Sequence, residues 1–128
     1  AIGITGVSIG SNDLTQLVLG VDRDSEKVAP LFDERDKAVM ETMREIIQQC
    51  HRLGLTSSIC GQAPSIYPEI TEKLVEWGVT SVSVNPDVAL LTRAIIASAE
   101  QKVLLNATHR RTRLDTAQDT GHKHTSIR

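Results

Sequence analysis

An α/β fold built from parallel βα units is what this sequence predicts, and three observations carry the prediction. Three short runs, Ile4 to Ile9, Thr56 to Cys60 and Val79 to Val84, have β-type composition, and each closes on a small or polar residue. Each run is followed by a stretch whose apolar residues recur at helical spacing. Strand and helix therefore alternate, which implies a parallel sheet with right-handed crossovers.

Taken in order, the first run ends at Gly10 and opens onto Ser11, Asn12, Asp13 and Gln16, read here as a strand-to-helix loop. From Leu17 to Arg35 the chain is charged, carries Pro30 and breaks the rhythm; a connection of that length is functional or mobile. Asp36 to Leu53 puts Val39, Met43, Ile46, Ile47, Cys50 and Leu53 on one face, with Gly54 as a stop. Ser65 to Trp77 opens with a capping residue, aligns Ile70, Leu74 and Trp77, and stops at Gly78. Asp87 to about Leu105 aligns Val88, Leu91, Ile95 and Ala99. Beyond Thr108 the composition turns to Thr, His, Arg, Lys and Asp, which predicts a disordered or irregular polar tail over 108–128 and a structured domain over 1–107. Three parallel strands cannot close a barrel and would leave two bare edges. They fit either a small open sheet or part of a larger βα structure.

Composition narrows the class. At 128 residues there is one domain at most, and 40% apolar content is enough for a core. One Trp, one Tyr and one Phe make that core aliphatic. A net charge of −2 argues against a nucleic-acid or anionic-membrane partner. Two cysteines fit neither a zinc spacing nor a disulfide framework and read as thiols in a reducing compartment. No apolar run approaches a membrane span and no signal peptide is visible, so a soluble cytoplasmic protein is expected.

In parallel βα folds, sites form in the loops at the C-terminal ends of the strands. Those loops hold Gly10, Ser11, Asn12, Asp13 and Gln16; Cys60, Gly61 and Gln62; and Asn85, Pro86 and Asp87. Each has a plain alternative. Ser11 or Asp13 could cap the next helix, and Asn85-Pro86-Asp87 could be a turn and cap. Cys60 could be a buried thiol like Cys50. Functionally, Asp13 is an oxygen ligand suited to Mg²⁺, Asn12 can orient a carboxylate or carbonyl, and Cys60 at a strand end can move a proton. His51 reads as a surface cation at a helix C-terminus. His109, His122 and His124 belong to the tail, while Asp22-Arg23-Asp24 and Asp33-Glu34-Arg35-Asp36 read as solvated loop. Gly3, Gly6 and Gly10 do not have the spacing of a dinucleotide fingerprint.

Three stretches are specific in combination: "SIGSNDLTQLVLGVDRDSEKVAPLFDERD", "ICGQAPSIYPE" and "GVTSVSVNPDVALLTR". Together they resemble the C-terminal PEP-utilising domain of the phosphoenolpyruvate synthases, shared with pyruvate phosphate dikinases and the phosphotransferase-system enzyme I. The resemblance runs from about Gly3 to about Gln101, and "CGQAPS" points to the synthase branch. It implies a (β/α)₈ barrel, of which this chain would supply roughly the last three βα units. It also implies that Gly10, Ser11, Asn12 and Asp13 contact pyruvate or PEP, that Asp13 ligates Mg²⁺, and that Cys60 exchanges a proton with the pyruvate methyl group.

The family's second acidic metal ligand, its substrate-binding arginines, its phosphocarrier histidine and its ATP-binding domain would all lie upstream. Val7 and Ile66 depart from the residues usual at their positions. The resemblance thus implies a partial pyruvate, water dikinase that is inactive alone, partnered by those upstream domains and prone to self-association. The alternatives left open are a non-catalytic interaction module and a stand-alone Mg²⁺/carboxylate-binding domain.

Overall fold

The computed structural model describes residues 3–121. Its strands are β1 (Gly6–Gly10), β2 (Thr56–Cys60) and β3 (Ser81–Val82), forming one parallel sheet in the order β1-β2-β3. Its helices are α1 (Ser11–Leu19), α2 (Lys37–Arg52), α3 (Ala63–Ile66), α4 (Pro68–Trp77) and α5 (Ala89–Gly121). Single 3₁₀ turns at Ala29–Leu31 and Pro86–Val88 interrupt the connections. The parallel α/β reading holds, with several elements placed differently from expectation.

The core lies on one side of the sheet. Along a strand, side chains alternate between faces. Ile9 of β1 and Ile59 of β2 point to the helices and meet Val39, Met43 and Ile47 of α2 and Ile70 and Leu74 of α4, all buried. Each such aliphatic side chain contributes roughly 1.5–3 kcal/mol when fully buried. α2 starts where Asp36 accepts a hydrogen bond from the Ala38 amide at 2.7 Å, a working N-cap. It ends at Gly54, whose φ of +68° lets the Leu55 amide reach back to the Cys50 carbonyl at 2.9 Å. Leu53, expected on the core face, is the C-cap of α2 and stands 69% exposed.

The other side of the sheet is different. Register pairs Gly6 with Thr56, Ser8 with Ser58, Ser58 in turn with Ser81, and Gly10 with Cys60. That face carries only glycine, serine, threonine and cysteine. Ser8, Thr56, Cys60 and Ser81 are exposed on it, and no described element packs over them.

Four expectations need correction. "SNDLTQ" is not a loop: β1 passes straight into α1, whose Leu14 and Val18 sit one turn apart against the core. The irregular connection therefore begins at Gly20, not Leu17. The helix expected over Ser65 to Trp77 is two helices, because Pro68 cannot continue α3 and holds Tyr67 extended before it. The outer strands are also shorter than their apolar runs. Residues 108–121, expected to be irregular, are helical: no proline or glycine interrupts α5 before Gly121. Every side chain from Glu100 to Leu114 is nonetheless exposed. Residues 122–128, with His122 and His124, lie outside the described residues.

Candidate functional site

The C-terminal ends of β1 and β2 lie side by side, since Gly10 and Cys60 are register partners. Two predicted loops are thereby brought together. Ser11, the first residue of α1, is fully buried, and its hydroxyl accepts a hydrogen bond from the Ala63 amide at 3.3 Å. Gly61 has φ +110°, and a Cβ there would collide with the Ser11 side chain, so only glycine fits between the two strand ends. The third predicted loop reaches α3 and, among the described residues, bonds to neither of the other two loops directly: the Asn85 backbone amide donates to Ser65 Oγ at 3.1 Å, while Asn85 and Asp87 themselves are exposed.

Cys60 occupies the last position of β2 on the bare face and is exposed, with Sγ 3.9 Å from Ser8 Oγ. The buried-thiol alternative therefore does not apply to it. It does apply to Cys50, which is 3% exposed among the α2 core residues. Asp13 is in the first turn of α1 and exposed. Neither it nor Ser11 caps the helix; Gly10 is the N-cap and no side chain bonds there. Among the described residues the Asp13 carboxylate has no hydrogen-bond or ion-pair partner, which leaves its oxygens available beside the positive helix end. No group of three or more His, Cys, Asp or Glu side chains forms a metal cage among the described residues.

Two residues that sequence reasoning assigned to solvated loop belong here. Glu34 is 3% exposed and accepts a hydrogen bond from Ser11 Oγ at 2.6 Å. Asn12 adjoins it. One orientation of the Asn12 amide makes only marginal contacts of 3.4–3.5 Å, to the Gln62 amide and Ser11 Oγ. The other donates to Glu34 Oε1 at 2.8 Å and accepts from Arg23 Nη1 at 2.8 Å, and its partners assign it. Arg23 thus sits at the strand-end rim and adds a guanidinium suited to carboxylate or phosphate. No local signal marks Glu34, because its partner Ser11 is 23 residues away.

The segment around Glu34 is anchored from outside. Arg35 pairs with Asp33 at 3.0 Å and lies over the Tyr67 ring, 4.7 Å from its centroid. That hydrogen bond from Arg35 holds the Asp33 carboxyl below its ordinary range. An apolar groove of about 460 Å³ between α4, β3 and α5, lined by Val75, Val82, Ile96 and Val103, lies away from all of these groups.

A parallel βα rim thus carries an exposed thiol, a carboxylate with no partner among the described residues, an amide and a guanidinium. The family profile described as "PEP-utilising enzyme, PEP-binding domain" matches residues 1–101, and the chain belongs to that family. It is 58% identical over 104 residues to a Staphylothermus marinus protein named "Probable phosphoenolpyruvate synthase", covering 80% of this chain and 12% of that protein. It is 54% identical to the phosphoenolpyruvate synthase of Aeropyrum pernix (80% of this chain, 13% of that protein) and 53% identical to that of Helicobacter pylori (77% and 12%). The chain thus spans about an eighth of the length of these relatives. No helix among the described residues is long and apolar enough to cross a membrane.

Proposed function

We propose that this chain supplies part of the pyruvate/PEP site of a phosphoenolpyruvate synthase, the part built on the last βα units of a (β/α)₈ barrel. The observation that carries the reading is the bare sheet face. A parallel sheet is normally covered on both sides, and here one side shows only small residues, with Cys60 at its rim. Further strands curling over that side would make it a barrel interior and would also cover the two open edges.

In this reading Cys60 is the proton-transfer group. Its exposed sulfur takes a proton from the pyruvate methyl carbon as thiolate, giving the enolate, and as thiol returns that proton to the enolate carbon in the reverse direction. Asn12 and Arg23 orient the substrate carboxylate, the guanidinium by charge and the amide by a neutral contact. Gly10 keeps that approach open, and Ser11 supports the site from beneath. Asp13 would hold Mg²⁺, which is commonly bound by one or two carboxylates together with substrate oxygens and water. When bound, that ion supplies Lewis-acid stabilisation of charge on the substrate oxygens. A second acidic ligand, a phosphohistidine and an ATP-binding domain would come from sequence outside this chain, so the 128 residues alone are expected to make no PEP. Self-association of the 128-residue chain by itself, with its sheet edges left uncovered, belongs to the same proposal.

The test replaces the matching segment of the Aeropyrum pernix relative with residues 1–101. The chimera should convert ATP and pyruvate to PEP, and Asp13→Asn should lower that rate by roughly a hundredfold or more, the scale of losing one preorganised electrostatic contact. A chimera indifferent to Asp13→Asn would overturn the assignment, as would PEP formation by the isolated chain.

A further inference from the structure

The connection between α1 and α2 buries a carboxylate that the proposed chemistry does not use. A buried carboxylate is costly unless donors surround it, and Glu34, at 3% exposure, takes them from Ser11 Oγ at 2.6 Å and the Asn12 amide at 2.8 Å. Both donors are neutral. Asn12 is the informative one, because an amide can present either end to a neighbour at almost the same shape. A carboxylate only accepts and a guanidinium only donates. With Glu34 on one side and Arg23 on the other, one amide orientation satisfies both partners and the reverse opposes both.

We propose that Glu34 is a positioning residue: its buried carboxylate fixes the orientation of the Asn12 amide, and through that amide it sets where the Arg23 guanidinium stands at the rim. The same carboxylate fixes the Ser11 hydroxyl proton, since Ser11 Oγ donates to Glu34 while accepting from the Ala63 amide. The flanking residues hold Glu34 inward: Asp33 and Arg35 pair outside, Arg35 covers Tyr67, and Asp36 caps α2. Relevance to catalysis rests on Asn12 and Arg23 being substrate contacts; the orientation itself does not.

Side-chain amide and guanidinium resonances of the 128-residue chain test this. In the unmutated chain, one Asn12 amide proton should be protected from exchange. Glu34→Gln keeps the shape but trades one carboxylate oxygen for a donor and leaves only a neutral carbonyl to accept from Asn12 and Ser11. It should lower that protection roughly ten- to hundredfold, the scale of a charged hydrogen bond, and shift the Arg23 signals while the Ile59 and Met43 backbone amides stay protected. Adding Asn12→Asp restores complementary partners and should return the Arg23 signals towards their original positions. An Asn12 amide unmoved by Glu34→Gln, or unprotected in the unmutated chain, overturns the assignment. If Glu34→Gln loosens the whole fold, the double variant decides: recovery of the Arg23 signals supports the relay and its absence rejects it. A synthase chimera that makes no PEP removes the functional reading and leaves this assignment standing.

Discussion

The two faces of the sheet use the same three strands for opposite purposes. Towards the helices they present Val7, Ile9, Ile59 and Val82, packed against α2 and α4. Away from them they present Gly6, Ser8, Gly10, Thr56, Ser58, Cys60 and Ser81. The first face stores stability in close packing, where any change of volume is felt. The second buries little, so its residues are free to be chosen for chemistry. The difference also separates two thiols ten residues apart, Cys50 within the core and Cys60 at the rim.

That separation gives the largest contrast. In the folded chain an alkylating reagent should modify Cys60 at once. Cys50 should react roughly a thousandfold more slowly or worse, because it is reached only through unfolding. Comparable rates read by peptide mass would break the two-face account.

Stability comes next. Met43→Ala opens a cavity in the core and should cost about 2–5 kcal/mol, whereas Ser81→Ala on the bare face should change urea unfolding by less than about 0.5 kcal/mol. Equal costs would mean that the bare face is packed in solution. Between these lies Gly61→Ala, which forces a side chain onto a left-handed backbone and into Ser11. It should cost roughly 1–3 kcal/mol and disturb the Ser11–Glu34 contact more than the Met43 core, a ranking that hydrogen exchange would check.

The smallest effect concerns Asp33. Its carboxyl lies below the ordinary 3.8 because Arg35 hydrogen-bonds to it. Its contribution is therefore complete above that value and fades as the pH falls through the lower folded pKa. Asp33→Asn should remove a shallow acid-side slope from the stability profile and leave neutral pH almost unchanged. A steep slope persisting in the variant would place the acid sensitivity elsewhere.

How much of this the sequence discloses depends on the range of the interaction responsible. α2 is legible because Val39, Met43, Ile47 and Cys50 repeat at helical spacing behind an aspartate cap. α1 is harder: its first turn is Ser-Asn-Asp, which reads as a loop, and only the Leu14–Val18 pair signals a helix. β3 is shorter than its apolar run because Ser81 and Val82 alone pair in the ladder. The rim positions of Cys60 and Asn12 follow from strand ends and are legible. Arg23 and Glu34 are not, since neighbouring charges make both look solvated and their partners lie 11 and 22–23 residues back in the chain.

The central claim is that the bare face is the chemical one, with Cys60 the group that moves the proton. Solvent deuterium entering the methyl group of pyruvate, measured on the synthase chimera carrying residues 1–101, tests it without requiring phosphoryl transfer. Exchange should proceed with Cys60 intact and fall by roughly a hundredfold or more in Cys60→Ala. Exchange at an unchanged rate in that variant would contradict the account.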